Sequence, residues 1–314
     1  MSSPWLQRRE FLRLGMAAAA ACVAPAASGQ SRSAMSSSPR IQRAIPKSGE
    51  QLPVIGLGTW QTFDISGPGS DWSEASEVLR LFVEHGGRVV DSSPMYGASE
   101  QVLGKIAREL GVGKQIFIAT KVWTNGRESG IQQMQDSLKK LGADPIDLMQ
   151  VHNLRDVQTH LGTLRDWKKQ GKLRYLGITH YNPGGYGALE RLMTSEADLD
   201  FLQVNYSLAE REAEQRILPL AAERKIAVLV NRPFAEGQLF GKVRGKPLPE
   251  WAAEFDCNSW AQFFLKYIVS NPAVTCAIPA TRNPRHLVDN MGAGMGRMPD
   301  EAIRKRMLTH LQGL

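Results

Sequence analysis

Cysteine is scarce in this 314-residue chain, which has three: Cys22, Cys257 and Cys276. None forms a C-x-x-C pair, and there is no H-E-x-x-H run or other metal-ligand cluster, so a zinc site has no ligands to build on. Cys257 and Cys276 could pair in an oxidising compartment, but two buried free thiols are the simpler state. No apolar run reaches the roughly 20 residues that a membrane-spanning helix needs. The 38 Lys and Arg residues exceed the 31 Asp and Glu residues by seven. No basic run or aromatic–basic ladder gathers that excess, so it reads as solvated surface and not as a nucleic-acid interface. The third glycine of G-x-G-x-x-G is missing as well: Gly56-Leu57-Gly58 is followed by Thr59, Trp60 and Gln61. A doubly wound dinucleotide-binding fold loses its signature there.

What is present begins at the N-terminus. Gln7-Arg8-Arg9-Glu10-Phe11-Leu12-Arg13 precedes an alanine-rich apolar run from Leu14 to Ala24, and Ala24-Pro25-Ala26 supplies an A-x-A cleavage site. This is the pattern of a twin-arginine signal peptide, too short to span a membrane. Cys22 is poorly placed for a lipoprotein site, because Ala19-Ala20-Ala21 precedes it. Residues 1–27 are therefore expected to be the signal and residues 28–40, rich in serine, a flexible linker. Export implies the twin-arginine machinery as a partner, the periplasm as destination, and no stable membrane insertion after cleavage.

Residues 41–314 read as one domain. Ile41 to Ile55 is expected to form a hairpin turning at Lys47-Ser48-Gly49-Glu50. Strands are then predicted at Val54–Trp60, Arg88–Ser92, Ile116–Val122, Ile146–His152, Arg174–His180, Phe201–Tyr206, Ile226–Asn231 and Val274–Ala280. Helical periodicity fills the gaps, as in Ser73–His85 with Val78, Leu79, Phe82 and Val83 on one stripe. Gly86-Gly87, Gly111, Gly142 and Gly171 stand where helices should stop. Eight strand–helix units with continuous apolar strands predict an α/β protein, a (β/α)8 TIM barrel with an N-terminal β-hairpin.

Active sites of such barrels lie at the C-terminal ends of the strands. The second strand ends at Asp91, with Tyr96 in the loop after it; the third ends at Lys121 and the fourth at His152. Taken singly, Asp91 and Lys121 could be a structural ion pair, His152 a core histidine, and Tyr96 a loop aromatic. Together they put an acid, a phenol, an ammonium and an imidazole on one rim. A phenol with a free pKa near 10 is a poor acid, but a neighbouring ammonium lowers that value. Asp91 would hold Lys121, and His152 could orient a carbonyl oxygen by hydrogen bonding. The set suits proton donation to that oxygen while hydride goes to carbon. No side chain donates hydride, so a nicotinamide is implied.

These residues sit in motifs that resemble the aldo-keto reductase family over nearly everything from Ile41 to about Gly294. The motifs are Leu52-Pro53-x-Ile55-Gly56-Leu57-Gly58-Thr59-Trp60, Asp91-x4-Tyr96-Gly97, Ala119-Thr120-Lys121, Asp147-Leu148-x-x-Val151-His152, and Ile278-Pro279-Ala280-Thr281-Arg282-Asn283-Pro284 with Asn290. The resemblance implies a catalytic tetrad of Asp91, Tyr96, Lys121 and His152, with Tyr96 as proton donor, and an aldehyde or ketone (or the matching alcohol) as substrate. It implies NADPH as cofactor, with NADH left open. The implied nucleotide contacts are Gly58, Thr59, Thr179, His180, Gln203, Asn231, Arg232, Phe234, Thr281, Arg282 and Asn290, and Trp60 and Trp123 would line the substrate pocket. Three features depart from the family pattern: Thr179-His180 replaces Ser-Asn at the carboxamide, Asn231 replaces the tyrosine that many members stack on the nicotinamide, and Ala280 replaces a common lysine. Preference for NADPH then falls to Arg282 and Arg285 at the start of the eighth helix. The alternative is a reductase-like barrel kept as a non-catalytic, nucleotide-sensing regulatory subunit.

Overall fold

The computed structural model describes residues 39–314, so the expected signal peptide and most of the linker lie outside the described residues. Two short strands, β1 (Gln42–Ala44) and β2 (Gln51–Pro53), pair antiparallel with Arg43 opposite Leu52, as the hairpin pattern predicts. A second sheet has eight strands: β3 (Leu57–Gly58), β4 (Val89–Asp91), β5 (Phe117–Val122), β6 (Ile146–Val151), β7 (Leu173–Thr179), β8 (Phe201–Asn205), β9 (Ala227–Asn231) and β10 (Cys276–Ala277). Each is parallel to the next in chain order. The helices between them are α1 (Ser70–Glu84), α2 (Ser99–Glu109), α3 (Arg127–Leu141), α4 (Val157–Lys169), α5 (Tyr186–Ser195) and α6 (Ile217–Glu223). The short α7 (Gln238–Lys242) and α8 (Trp260–Val269) follow β9, and α9 (Pro284–Gly292) and α10 (Glu301–Gln312) follow β10.

The sheet closes on itself. Bridges Ile55–Ala277 and Gly58–Ala280 join the first strand to the last, with Gly56 N donating to Ala277 O at 2.8 Å and Gly58 N to Pro279 O at 3.0 Å. This is the (β/α)8 barrel. The two seam strands are shorter than their apolar runs suggest because the pairing there is a row of isolated bridges. A Cβ on Gly56 would lie 2.8 Å from Val89 O, and one on Gly58 2.8 Å from Ile278 O, so glycine is what lets the strands meet. Gly58 thus has a packing reason for its identity. Helix α1 starts at Ser70, ahead of the expected Ser73, and Asp71 in its first turn complements the helix dipole. Val78, Leu79 and Phe82 are buried as expected, whereas Val83 is only partly so. Gly142 ends α3 in the left-handed conformation (φ 66°), a backbone state in which a side chain is strained.

Two apolar clusters hold the barrel. Outward-facing strand residues pack against the helices, while Val89, Phe117, Ala119, Leu148, Tyr175, Phe201, Leu229 and Cys276 fill the interior. Ile45 and Leu52 of the hairpin, fully buried, join that inner cluster and close its N-terminal mouth. Polar residues are therefore left to the opposite end. Among the described residues no helix is long and apolar enough to cross a membrane.

Candidate active site

Side chains alternate along a strand, so residues two apart share a face. In β4 the inner face runs Val89, Asp91; in β5 Phe117, Ala119, Lys121; in β6 Leu148, Gln150, with His152 just beyond. Each strand is apolar inside its N-terminal half and polar at its C-terminal end. The structure brings Asp91, Tyr96, Lys121 and His152 together on that rim.

Lys121 is fully buried, and its Nζ donates to Asp91 Oδ2 and to Ser92 O, both at 2.7 Å. Nζ also stands 4.9 Å from the centre of the Tyr96 ring. Asp91 accepts two further hydrogen bonds on Oδ1, from Gln203 Nε2 at 2.8 Å and Gln150 Nε2 at 3.4 Å. The carboxylate is thus fixed by three side chains. Burial works against the charge on Lys121, yet Asp91 and Tyr96 outweigh it and hold the ammonium above the usual lysine range. For Tyr96, burial pushes the phenol up, Lys121 pulls it down, and Asp91 adds to the rise. The lowering expected from the ammonium is present but burial outweighs it, so the phenol stays protonated at neutral pH.

The Tyr96 ring meets His152 edge-on, with centroids 5.8 Å apart, and Trp123 lies 6.4 Å from the imidazole on another side. Ser93 Oγ is 3.0 Å from His152 Nδ1. Burial, with Lys121 and His180 adding to it, lowers the His152 pKa to about 2. The imidazole is therefore neutral, a hydrogen-bonding group and not a fixed charge. The consequence for stability has a definite sign. Below the ordinary histidine pKa of 6.5, the unfolded chain takes a proton that the folded chain refuses, so folding weakens as pH falls. Compared with a His152→Gln variant, the wild type is expected to lose up to about 1.4 kcal/mol per pH unit below that point. Denaturant unfolding of both proteins across mildly acidic pH measures this, and parallel curves would contradict a neutral buried imidazole.

The remaining candidates are less uniform. Thr59 Oγ1 lies 3.0 Å from both Asp91 O and Ser92 Oγ, bracing the backbone behind the acid. Thr179 is buried at the end of β7 and accepts from Asn153 N at 3.4 Å. The His180 ring stacks on Tyr181 at 5.5 Å. Gln203 spends one amide proton on Asp91, a partnership that spacing does not reveal. Asn231 Nδ2 donates to His180 O at 3.2 Å, while its Oδ1 is buried without a partner. Arg232 is tied to Glu210 at 2.8 Å and to Glu236 at 2.6 Å. Phe234 packs on Phe240, 4.8 Å between centroids, at the edge of the aromatic cluster of α8. Thr281 Oγ1 accepts from Asn283 N at 3.1 Å, Asn283 caps α9, and Asn290 is buried within that helix. Arg282 reaches back to Asp71 and Glu74 of α1 at 3.3 and 3.4 Å. Trp60 is 41% exposed on the rim. Sequence reasoning missed Ser93 and Gln150. Gln150 shares the inward parity of His152, which was the available signal, whereas Ser93 lies in a turn where no periodicity applies.

Comparison with known proteins gives a consistent result. The profile described as "Aldo/keto reductase family" matches residues 54–306. The aldo-keto reductase YhdN of Bacillus subtilis is 31% identical over 217 residues, which are 64% of this chain and 64% of that protein. The methylglyoxal reductase YeaE of Escherichia coli is 28% identical over 79% of this chain and 88% of its own length. A solved aldo/keto reductase from Klebsiella pneumoniae, in complex with NADP and acetate, superposes with a TM-score of 0.69 at 24% identity. That superposition covers 84% of this chain and 93% of the other, and at this identity it speaks for the fold.

Proposed function

The chain belongs to the aldo/keto reductase family, and from that premise we propose that it is an NADPH-dependent oxidoreductase acting on aldehydes or ketones, or in reverse on the matching alcohols. The observation that carries this reading is the buried Lys121–Asp91 pair at 2.7 Å beside the Tyr96 ring, with a neutral imidazole opposite. A nicotinamide, when bound, would supply hydride to the carbonyl carbon. Tyr96, held as a phenol, donates its proton to the oxygen. Lys121 then faces the phenolate left behind and stabilises it more than it does the phenol, which is where catalysis gains. Asp91 keeps Lys121 charged although its side chain is fully buried. His152 donates a hydrogen bond to the carbonyl oxygen, and Trp60 and Trp123 flank the substrate.

The residues at the rim fit a dinucleotide. Asn231 Oδ1 is a buried acceptor lacking a donor, which an amide N–H of the nicotinamide end would supply. Thr179, His180 and Gln203 would stand by the same end, with Arg232 and Phe234 along the diphosphate. The N-terminus of α9 offers its dipole to phosphate, beside Thr281, Arg282 and Arg285. The experiment that tests the function is turnover of an aromatic aldehyde with NADPH, followed by loss of nicotinamide absorbance. A folded protein that neither turns over nor binds the nucleotide would overturn it.

Arg282 carries the choice between nucleotides in this reading. Its ion pairs with Asp71 and Glu74 compete with a 2′-phosphate, so its contribution falls at the low end of a charge-assisted hydrogen bond. Arg282→Ala is expected to weaken NADPH about tenfold and NADH much less. Equal losses in a fluorescence titration would show that the arginine does not read the phosphate.

We propose also that the chain is exported, already folded, by the twin-arginine machinery to the periplasm, a reading supported by Arg8-Arg9 and the apolar run that follows them. Nucleotide bound before export would stabilise the fold by mass action. Replacing Arg8-Arg9 by Lys-Lys is expected to leave the protein in the cytoplasm, and an unchanged location on cell fractionation would refute export.

A further inference from the structure

We propose that Ser93 is a positioning residue that fixes His152 in the tautomer with its proton on Nε2. Ser93 is fully buried, so its hydroxyl proton is shut off from bulk solvent and is costly to leave without a partner in the protein. Its oxygen already accepts a hydrogen bond from Met95 N at 3.2 Å. The other polar atom within reach among the described residues is His152 Nδ1, at 3.0 Å. The neighbouring polar groups are engaged elsewhere: Thr59 Oγ1 with Asp91 O and Ser92 Oγ, and Lys121 Nζ with Ser92 O and Asp91.

Two arrangements are possible along the Ser93–His152 contact. If Nδ1 carried the proton and donated to Ser93, the serine hydroxyl proton would be buried and unpaired. Nε2 would then be a bare acceptor, repelling a carbonyl oxygen. If Ser93 donates to Nδ1, both of its hydrogen-bonding functions are met and Nε2 must carry the proton. The imidazolium form is opposed by burial and by the charge on Lys121. One hydroxyl therefore settles which ring nitrogen is the donor. Nε2 takes no partner among the described residues, so its proton remains for a ligand. This step rests on the proposed carbonyl reduction only for its use; the tautomer itself is a property of the free protein.

The test separates the two. In protein labelled with 15N-histidine, with the His152 signals assigned by their loss in His152→Gln, the ring shifts report the tautomer directly. The wild type is expected to show a bare Nδ1 and a protonated Nε2 at neutral pH. Ser93→Ala is expected to show both tautomers in exchange, with kcat lowered about five- to tenfold, the scale of one hydrogen bond, and NADPH affinity unchanged. A wild-type ring protonated on Nδ1 overturns the proposal. So does an alanine variant that keeps the single Nε2–H form, whatever its kcat. If the wild type reduces no carbonyl, the proposed function fails while the nitrogen shifts still decide the role of Ser93.

Discussion

Replacing Tyr96 by phenylalanine is expected to lower kcat for carbonyl reduction by about a hundredfold or more, the scale of losing a general acid, with NADPH binding unchanged. Phenylalanine keeps the ring that meets His152 edge-on and lies 4.9 Å from Lys121 Nζ, so packing on both sides survives and only the hydroxyl goes. The remaining donor to the substrate oxygen is then the neutral imidazole. With its pKa lowered to about 2, His152 can polarise the carbonyl but has no readily lost proton to give. Residual turnover is therefore expected to be small at every pH and not to be rescued by acid. Steady-state kinetics with the variant and a nucleotide titration check both halves. A variant that keeps wild-type kcat would remove Tyr96 from the proposed role, and a variant that loses nucleotide binding would make it a structural residue.

The barrel was legible because its evidence is repetitive. Eight apolar runs at regular intervals, each followed by a helical stripe, can be read without knowing any contact, and the weak points fell at the seam. There Gly56 and Gly58 serve strand closure, a contact between residues more than two hundred positions apart, and local pattern overestimates the strands. The four rim residues were legible for a related reason: the fold rule converts a strand end into a place. What periodicity cannot show is how side chains share partners. Gln203 serves Asp91, Arg232 reaches Glu210, and Arg282 reaches α1. Each pairing joins separate loops or strands whose distance in sequence carries no trace of it. The direction of the Tyr96 shift was hidden likewise, because the ammonium is visible in sequence and the burial that outweighs it is not.

The Asp91–Lys121 pair gives the largest effect expected on stability. Asp91→Ala leaves a fully buried ammonium with Ser92 O as its remaining partner, and leaves the amides of Gln203 and Gln150 without their acceptor. Breaking a buried pair from one side costs about 3–5 kcal/mol. The loss should also depend on pH with a sign opposite to that of the intact pair. In the wild type the Lys121 pKa is raised, so its contribution is complete below the ordinary lysine value and is lost as pH rises through the folded one. Without Asp91, the largest influence against burial is gone and Tyr96 alone remains to oppose it, so that pKa falls. The unfolded chain then holds the extra proton, and folding strengthens as pH rises toward about 10.4. The gap between variant and wild type is therefore widest at neutral pH and narrows in alkali. Adding Lys121→Met to Asp91→Leu removes the stranded charge, so the double variant is expected to be more stable than Asp91→Ala while remaining inactive. Equilibrium unfolding of the three proteins decides it. An Asp91→Ala protein within about 1 kcal/mol of wild type, the range of a surface pair, would mean that water reaches Lys121 after all. A double variant no more stable than the single one would mean that the cost lies in the orphaned amides, not in the ammonium.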